Sequence, residues 1–138
     1  MGRPTLENNP EARRRLTDEA IIWLTTVRAN GQPQTSPVWF LVAGDELIVY
    51  SLPDTARVEN IQTNPRVALN LDGNGLGGAI VTIEGQACID PGYPAADQMP
   101  DYVAKYESFM ARNGWTPEVF AARYSTPIRI SPTRSRAW

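Results

Sequence analysis

The sequence predicts a mainly β fold with added helices, arranged as an antiparallel barrel. Three observations lead there. Short runs rich in Val, Ile, Leu, Thr and Trp recur across residues 20–90, each bounded by Gly, Pro, Asn or Asp. The order reads strands, helix, strands, helices, strand, so the steady β-α-β alternation of a parallel sheet is absent. The chain has 138 residues, 42% of them apolar, which fits one domain with a substantial core. A barrel closes its own edges, which suits strands this short.

Asn9-Pro10-Glu11 is a helix start with proline at the first helical position, and the helix is expected over residues 8–16. Thr17-Asp18-Glu19 is expected to break it. The barrel then occupies residues 20–90. Residues 20–29 carry Ile, Trp and Thr in strand fashion, and Asn30-Gly31 is a strong hairpin signal. The partner strand begins near Gln34 and runs on through Trp39 and Phe40 to the turn at Ala43-Gly44-Asp45. Pro37 inside it has no N–H to donate, so this run is an edge strand or carries a bulge. Residues 45–50 form a third strand. A polar step, Ser51 to Thr55, leads into a short helix that Asn64-Pro65 ends, and a fourth strand covers 66–71.

Residues 72–78 form a loop with four glycines that lacks the dinucleotide fingerprint. Residues 79–89 form a fifth strand, in which Gly85 marks a bulge or a close approach. A helical region spans 95–124. Its first helix, 95–113, repeats Tyr102, Val103, Tyr106, Phe109 and Met110 at helical spacing and stops at Asn113-Gly114. Thr116-Pro117-Glu118 opens the second, which runs to about Tyr124. Residues 126–138 hold the last strand, 126–130, and a tail.

Composition excludes several chemistries. The chain has no histidine, so it lacks the commonest general base and the commonest metal ligand. Cys88 is the single cysteine, which rules out an internal disulfide and a zinc cluster, and its strand setting suggests an inert structural thiol. A reducing cytoplasm suits a lone thiol. No metal site is expected. The net charge of −2 gives no general attraction to nucleic acid. No apolar run approaches a membrane span, and no signal peptide is expected at the N-terminus. Nucleophile elbow, P-loop and paired-carboxylate motifs are all absent, so no catalytic side chain is singled out. A protein of this kind suits a cofactor that brings its own chemistry.

The step at residues 51–55 is the most informative stretch. Pro53 holds Leu52 extended, and Asp54 or Thr55 can cap the helix that follows. Free N–H groups and the positive end of the helix then face outward, which suits phosphate. Arg57 in the first turn offers a planar fork to phosphate oxygens, and Asn60 and Asn64 follow on its face. The same pattern also describes an ordinary capped helix with a solvated arginine. Trp39 has two readings as well: a core residue or a platform for a planar ligand.

These residues resemble the pyridoxamine-phosphate-oxidase-like split barrels, which bind flavin or deazaflavin. Tyr50-Ser51 stands at the family's Tyr-Thr pair, Thr55-Ala56-Arg57 at its Ser-Arg-Lys, and Asn64-Pro65-Arg66-Val67-Ala68-Leu69 matches without a gap. The most similar branch uses the deazaflavin coenzyme F420, through a shared VPVWF-type strand and a C-terminal PIRxxPTRxRxW pattern. The resemblance implies an FMN-binding type of split barrel and a homodimer with cofactor clefts between subunits. It also implies hydride transfer to or from a small organic substrate. Thr35, Ser36, Pro37, Val38, Trp39, Tyr50 and Ser51 would edge the ring and side chain, with a bulge at Pro37 turning that strand toward the ring. Thr55, Arg57 and Asn60 would take the phosphate. Arg134, Arg136 and Trp138 would reach the partner's site or pack the dimer. Arg57 stands where the family usually has lysine, and Glu59 stands where a second basic residue is common. Two further departures are Ala56, where flavin enzymes carry arginine, and the absence of arginine at Thr35-Ser36. Both favour F420 over FMN, which stays as the alternative cofactor beside a non-catalytic carrier role.

Overall fold

Asn9 accepts a hydrogen bond from the Ala12 N–H at 3.0 Å, and Pro10 follows it as the first helical residue. This is the start of α1, Pro10–Asp18, in a computed structural model that describes residues 9–138. The expected start at residue 8 lies outside them. The helix outruns the expected break at Thr17. Arg14 bridges Glu11 and Asp18, and Arg15 bridges Glu19, all at helical spacing.

The remaining elements are β1 Ile22–Val27, β2 Pro33–Val38, β3 Leu41–Ala43, β4 Glu46–Ser51, α2 Ala56–Thr63, β5 Arg66–Asn70, β6 Val81–Ile89, α3 Pro100–Arg112, α4 Pro117–Arg123 and β7 Thr126–Ala137. The strands form one antiparallel sheet in the order β2-β1-β5-β6-β7-β4-β3. Its two edge strands are consecutive in the chain. Only Trp39 and Phe40 separate β2 from β3, and so short a link spans about 11 Å at most. The sheet must therefore curl until its edges nearly meet, which gives a split barrel. The single strand expected from Gln34 through Phe40 is thus corrected to two strands on opposite edges. Pro37 lies on an edge strand without a bulge, since the β1–β2 register runs unbroken from Ile22↔Val38 to Val27↔Pro33.

The barrel closes around Ile22, Leu24, Phe40, Ile83, Ile128 and Ile130, with Leu16 of α1 and Val58 and Ile61 of α2 packed into the same core. β4 is buried on both faces. Leu47 and Val49 point into the barrel, whereas Ile48 and Tyr50 meet a second, aromatic layer made by Tyr102, Tyr106 and Met110 of α3 and Phe120 of α4.

α3 starts at Pro100, later than expected, because proline holds Met99 extended (φ −109°, ψ 97°). Residues 96–98 form a separate 3-10 turn. α3 ends in a Schellman turn: Gly114 has φ 74°, its N–H donates to Ala111 O, and the Trp115 N–H donates to Met110 O. β7 is far longer than expected, because the supposed tail continues the ladder to Val81↔Ala137. The bulge falls at Glu84/Gly85, where Thr133 is the extra residue. A Cβ on Gly85 would lie 2.8 Å from the Ser131 carbonyl oxygen. Cys88 is exposed rather than structural, since the two-residue period of β6 turns Ile83, Gly85 and Ala87 inward and Cys88 outward. No helix among the described residues is long and apolar enough to cross a membrane.

The link between the edges has no strand neighbour, and α3 satisfies the backbone of Phe40. The Phe40 N–H donates to Tyr106 Oη at 2.8 Å, and Lys105 Nζ donates to Phe40 O at 2.9 Å while lying 3.9 Å from the Phe40 ring centroid. Lys105 is the only lysine in the chain.

Two outcomes follow from this packing. Gly85→Ala is expected to cost about 1–3 kcal/mol in denaturant unfolding, the range for an overpacked site; unchanged stability would mean the bulge yields freely. Burial pulls Lys105 down from the ordinary 10.5 to about 8, so the unfolded chain holds its proton more tightly. This group therefore makes stability rise with pH between about 8 and 10.5. Above about 10 the buried Tyr50, Tyr102 and Tyr106, held above their ordinary value by burial, work in the opposite direction. Lys105→Met should lose the rise and keep the fall; a variant with the wild-type pH profile would contradict the assignment.

Candidate cofactor site

The start of α2 is open. Thr55 occupies the cap position in extended conformation, yet its side chain makes no capping bond, against expectation. Its hydroxyl turns back into the step, 3.3 Å from Leu52 O and 3.0 Å from Ser51 Oγ. The first-turn N–H groups are left without a Thr55 cap.

Arg57 reaches across the split. Its Nη1 donates to Ser51 Oγ of β4 at 3.1 Å, and its Nη2 donates to Ser36 Oγ of β2 at 3.2 Å. Its Nε is buried and has no partner. Among the described residues Arg57 takes part in no ion pair. Burial lowers its pKa, and nearby Tyr124 partly offsets this.

Beside Arg57 lies a cleft of about 430 Å³. Six expected residues line it: Pro37, Val38, Trp39, Tyr50, Thr55 and Arg57. Ser36 and Ser51 meet it through Arg57. Thr35 does not join them. It lies on the other face of β2 from Ser36, with its hydroxyl 2.7 Å from that of Thr25. Asn60 is buried, and its amide donates to Thr26 Oγ1 at 3.0 Å and Gln34 Oε1 at 2.9 Å. Both amide protons are committed, so Asn60 has no donor left for phosphate and instead braces α2 against the first hairpin. Asn64 caps the far end of α2.

Tyr50 sends its hydroxyl to Pro94 O at 2.7 Å and presents only its ring side. Trp39 is both core and wall: it stacks on Tyr106 at 4.7 Å and on Phe120 at 5.3 Å while lining the cleft. Sequence reasoning missed four further lining residues, Asn113, Trp115, Phe120 and Tyr124. The signal available was Trp115, a large aromatic placed directly after a helix stop.

Arg134 and Arg136 belong to β7, opposite Glu84 and Thr82. Trp138 pairs its backbone with Ile80 and lies under Arg136, 4.9 Å from ring centroid to guanidinium. The free tail is therefore corrected to a strand, and none of the three lines this cleft. A larger hollow of about 810 Å³ mixes Arg13 and Arg134 with Asp45 and Glu46, and it contains none of the expected ring or phosphate residues.

The split of this barrel thus carries a guanidinium without a carboxylate partner beside an aromatic cleft. The chain belongs to the pyridoxamine 5'-phosphate oxidase family, whose model matches residues 9–138. Solved structures share the fold. An F420 reductase superposes with TM-score 0.65 at 23% identity, over 91% of this chain and 97% of that one. A FAD-binding protein from Mesorhizobium loti gives 0.61 at 19%, over 91% and 87%. The heme storage protein HutZ from Vibrio cholerae gives 0.64 at 16%, over 94% and 93%. No curated protein sequence matches the chain.

The charge at Arg57 has a consequence for stability. Arg57→Met should raise stability by about 1 kcal/mol, because it removes an orphaned donor and a desolvated charge without a counter-charge. A clear fall in melting temperature would make Arg57 a structural residue.

Proposed function

We propose that this chain is an oxidoreductase that binds the deazaflavin coenzyme F420 in the cleft and moves hydride to or from a small organic substrate. The observation that carries this reading is Arg57. A half-buried guanidinium held by two hydroxyls, with an orphaned Nε and no carboxylate, is a site prepared for an anion. The uncapped first turn of α2 adds N–H donors beside it. The residues therefore fit the phosphate of such a cofactor.

When bound, the deazaflavin supplies a carbon that carries the hydride. The chain's own part is to bind, orient and exclude water. Arg57 and the first turn of α2 take the phosphate. Trp39, Trp115, Phe120 and Tyr124 give the planar ring a largely aromatic lining. A second copy would complete the cleft and make the dimer, with Arg134, Arg136 and Trp138 on the β7 face available to it. A cytoplasmic setting suits the exposed thiol of Cys88. F420 is favoured over FMN by Ala56 and by the lack of arginine at Thr35 and Ser36. A heme role like that of HutZ is disfavoured, since the chain has no histidine to ligate iron.

Titration of the purified protein with F420, followed by the fluorescence of the cofactor, should saturate at micromolar concentration. Arg57→Ala should weaken binding by about 1.5–3 kcal/mol, the range for a charged hydrogen bond. A yellow protein with a flavin spectrum would replace F420 by FMN. Bound F420 that exchanges hydride with no acceptor would leave a carrier. Absence of any saturable change would remove the reading.

A further inference from the structure

Trp39 and Phe40 join the two edges of the sheet, and they point opposite ways. Phe40 is fully buried in the barrel, while Trp39 walls the cleft. Whatever fixes the Phe40 backbone therefore fixes the indole beside it. The hydrogen bonds at this joint are closely counted. The Tyr106 hydroxyl accepts from the Phe40 N–H and has a single proton, yet two carbonyls lie in reach, Ala20 O at 2.7 Å and Phe40 O at 2.9 Å. Lys105 resolves the conflict by donating to Phe40 O, which leaves the Tyr106 proton to Ala20.

We propose that Lys105 and Tyr106 are positioning residues for the cofactor, holding the Phe40 backbone so that Trp39 stands as the wall of the cleft. This rests on the cleft being the cofactor site. The ammonium makes a charge-assisted bond to the carbonyl and is drawn to the rings of Phe40 and Tyr106, 3.9 and 5.3 Å away. A neutral amine keeps only an ordinary donor. The other charged groups acting on Lys105 are Asp18 and Glu19 at the end of α1, which favour its protonated form, while burial brings its titration down to about 8. Burial outweighs these attractions: an amine released to water would titrate near its ordinary 10.5, so the seated position favours the neutral form and cofactor affinity should rise as pH passes about 8.

The test is the dissociation constant for F420 by equilibrium dialysis on both sides of pH 8, for wild type and three variants. Wild type should tighten as pH rises through about 8. Lys105→Met should be about fivefold weaker at neutral pH, the worth of one hydrogen bond, and show no step. Lys105→Arg, which cannot titrate, should keep most of the affinity and also show no step. Tyr106→Phe keeps the ring but loses the hydroxyl, and should bind weakly at all pH values. A step inherent to the cofactor would persist in all variants and would overturn the proposal, as would wild-type affinity in Lys105→Met. A second readout needs no cofactor: acrylamide quenching of Trp39, taken as the difference from Trp39→Phe, should increase in Lys105→Met. If wild type fails to bind F420, the reading of the site falls, and unchanged quenching would separately overturn the clamp.

Discussion

The structure depends on a two-residue tether. β2 and β3 stand at opposite ends of the strand order, yet Trp39 and Phe40 are all that joins them. A flat sheet of seven strands would set its edges about 28 Å apart at the usual strand spacing, far beyond the reach of that link. Curling is thus imposed by covalent connectivity as well as by burial of one face. The residues of the tether cannot join a ladder, and α3 supplies the missing partners through Lys105 and Tyr106. This explains why a helix that is distant in sequence packs over the joint.

The same tether builds the site. Ser36 and Ser51 lie on strands that the sheet order separates, one on β2 and the other on β4. Curling brings their hydroxyls to either side of one guanidinium. Trp39 enters the cleft because it alternates with Phe40, which the barrel core claims. Binding surface and fold closure therefore use the same short segment, and a change at one is felt at the other.

Much of this was legible in the residues. Most of the strands, the Asn30-Gly31 hairpin, the helix starts at Pro10 and Pro117 and the bulge at Gly85 follow from local chemistry. Arg57 was legible for the same reason, as a cation in the first turn after a proline step. What failed was long-range. Nothing local says that one apolar run must break at Trp39, because the break comes from which edges its halves join. Asn60 reads as a surface donor by helical spacing, and only the packed hairpin reveals Thr26 and Gln34 waiting for its amide. Trp115 and Tyr124 reach the cleft through the packing of α3 and α4, which no periodicity fixes.

Arginine usage within the chain supplies the last step. Arg15 is well covered and is paired with Glu19 at 2.5 Å. Arg129 is held between Glu46 at 2.7 Å and Asp90 at 3.0 Å, tying β4, β7 and the end of β6 together. Where this fold uses arginine to hold elements together under partial cover, it supplies a carboxylate. Arg57 is under comparable cover and is given only neutral hydroxyls. The other buried orphan among the described residues, the Tyr102 hydroxyl, is neutral and lies within the aromatic layer. A charge taken partly out of water without a counter-ion lowers stability. Among the described arginines under partial cover, this one alone is given no carboxylate, and it lies beside a cleft where an anionic ligand would complete it.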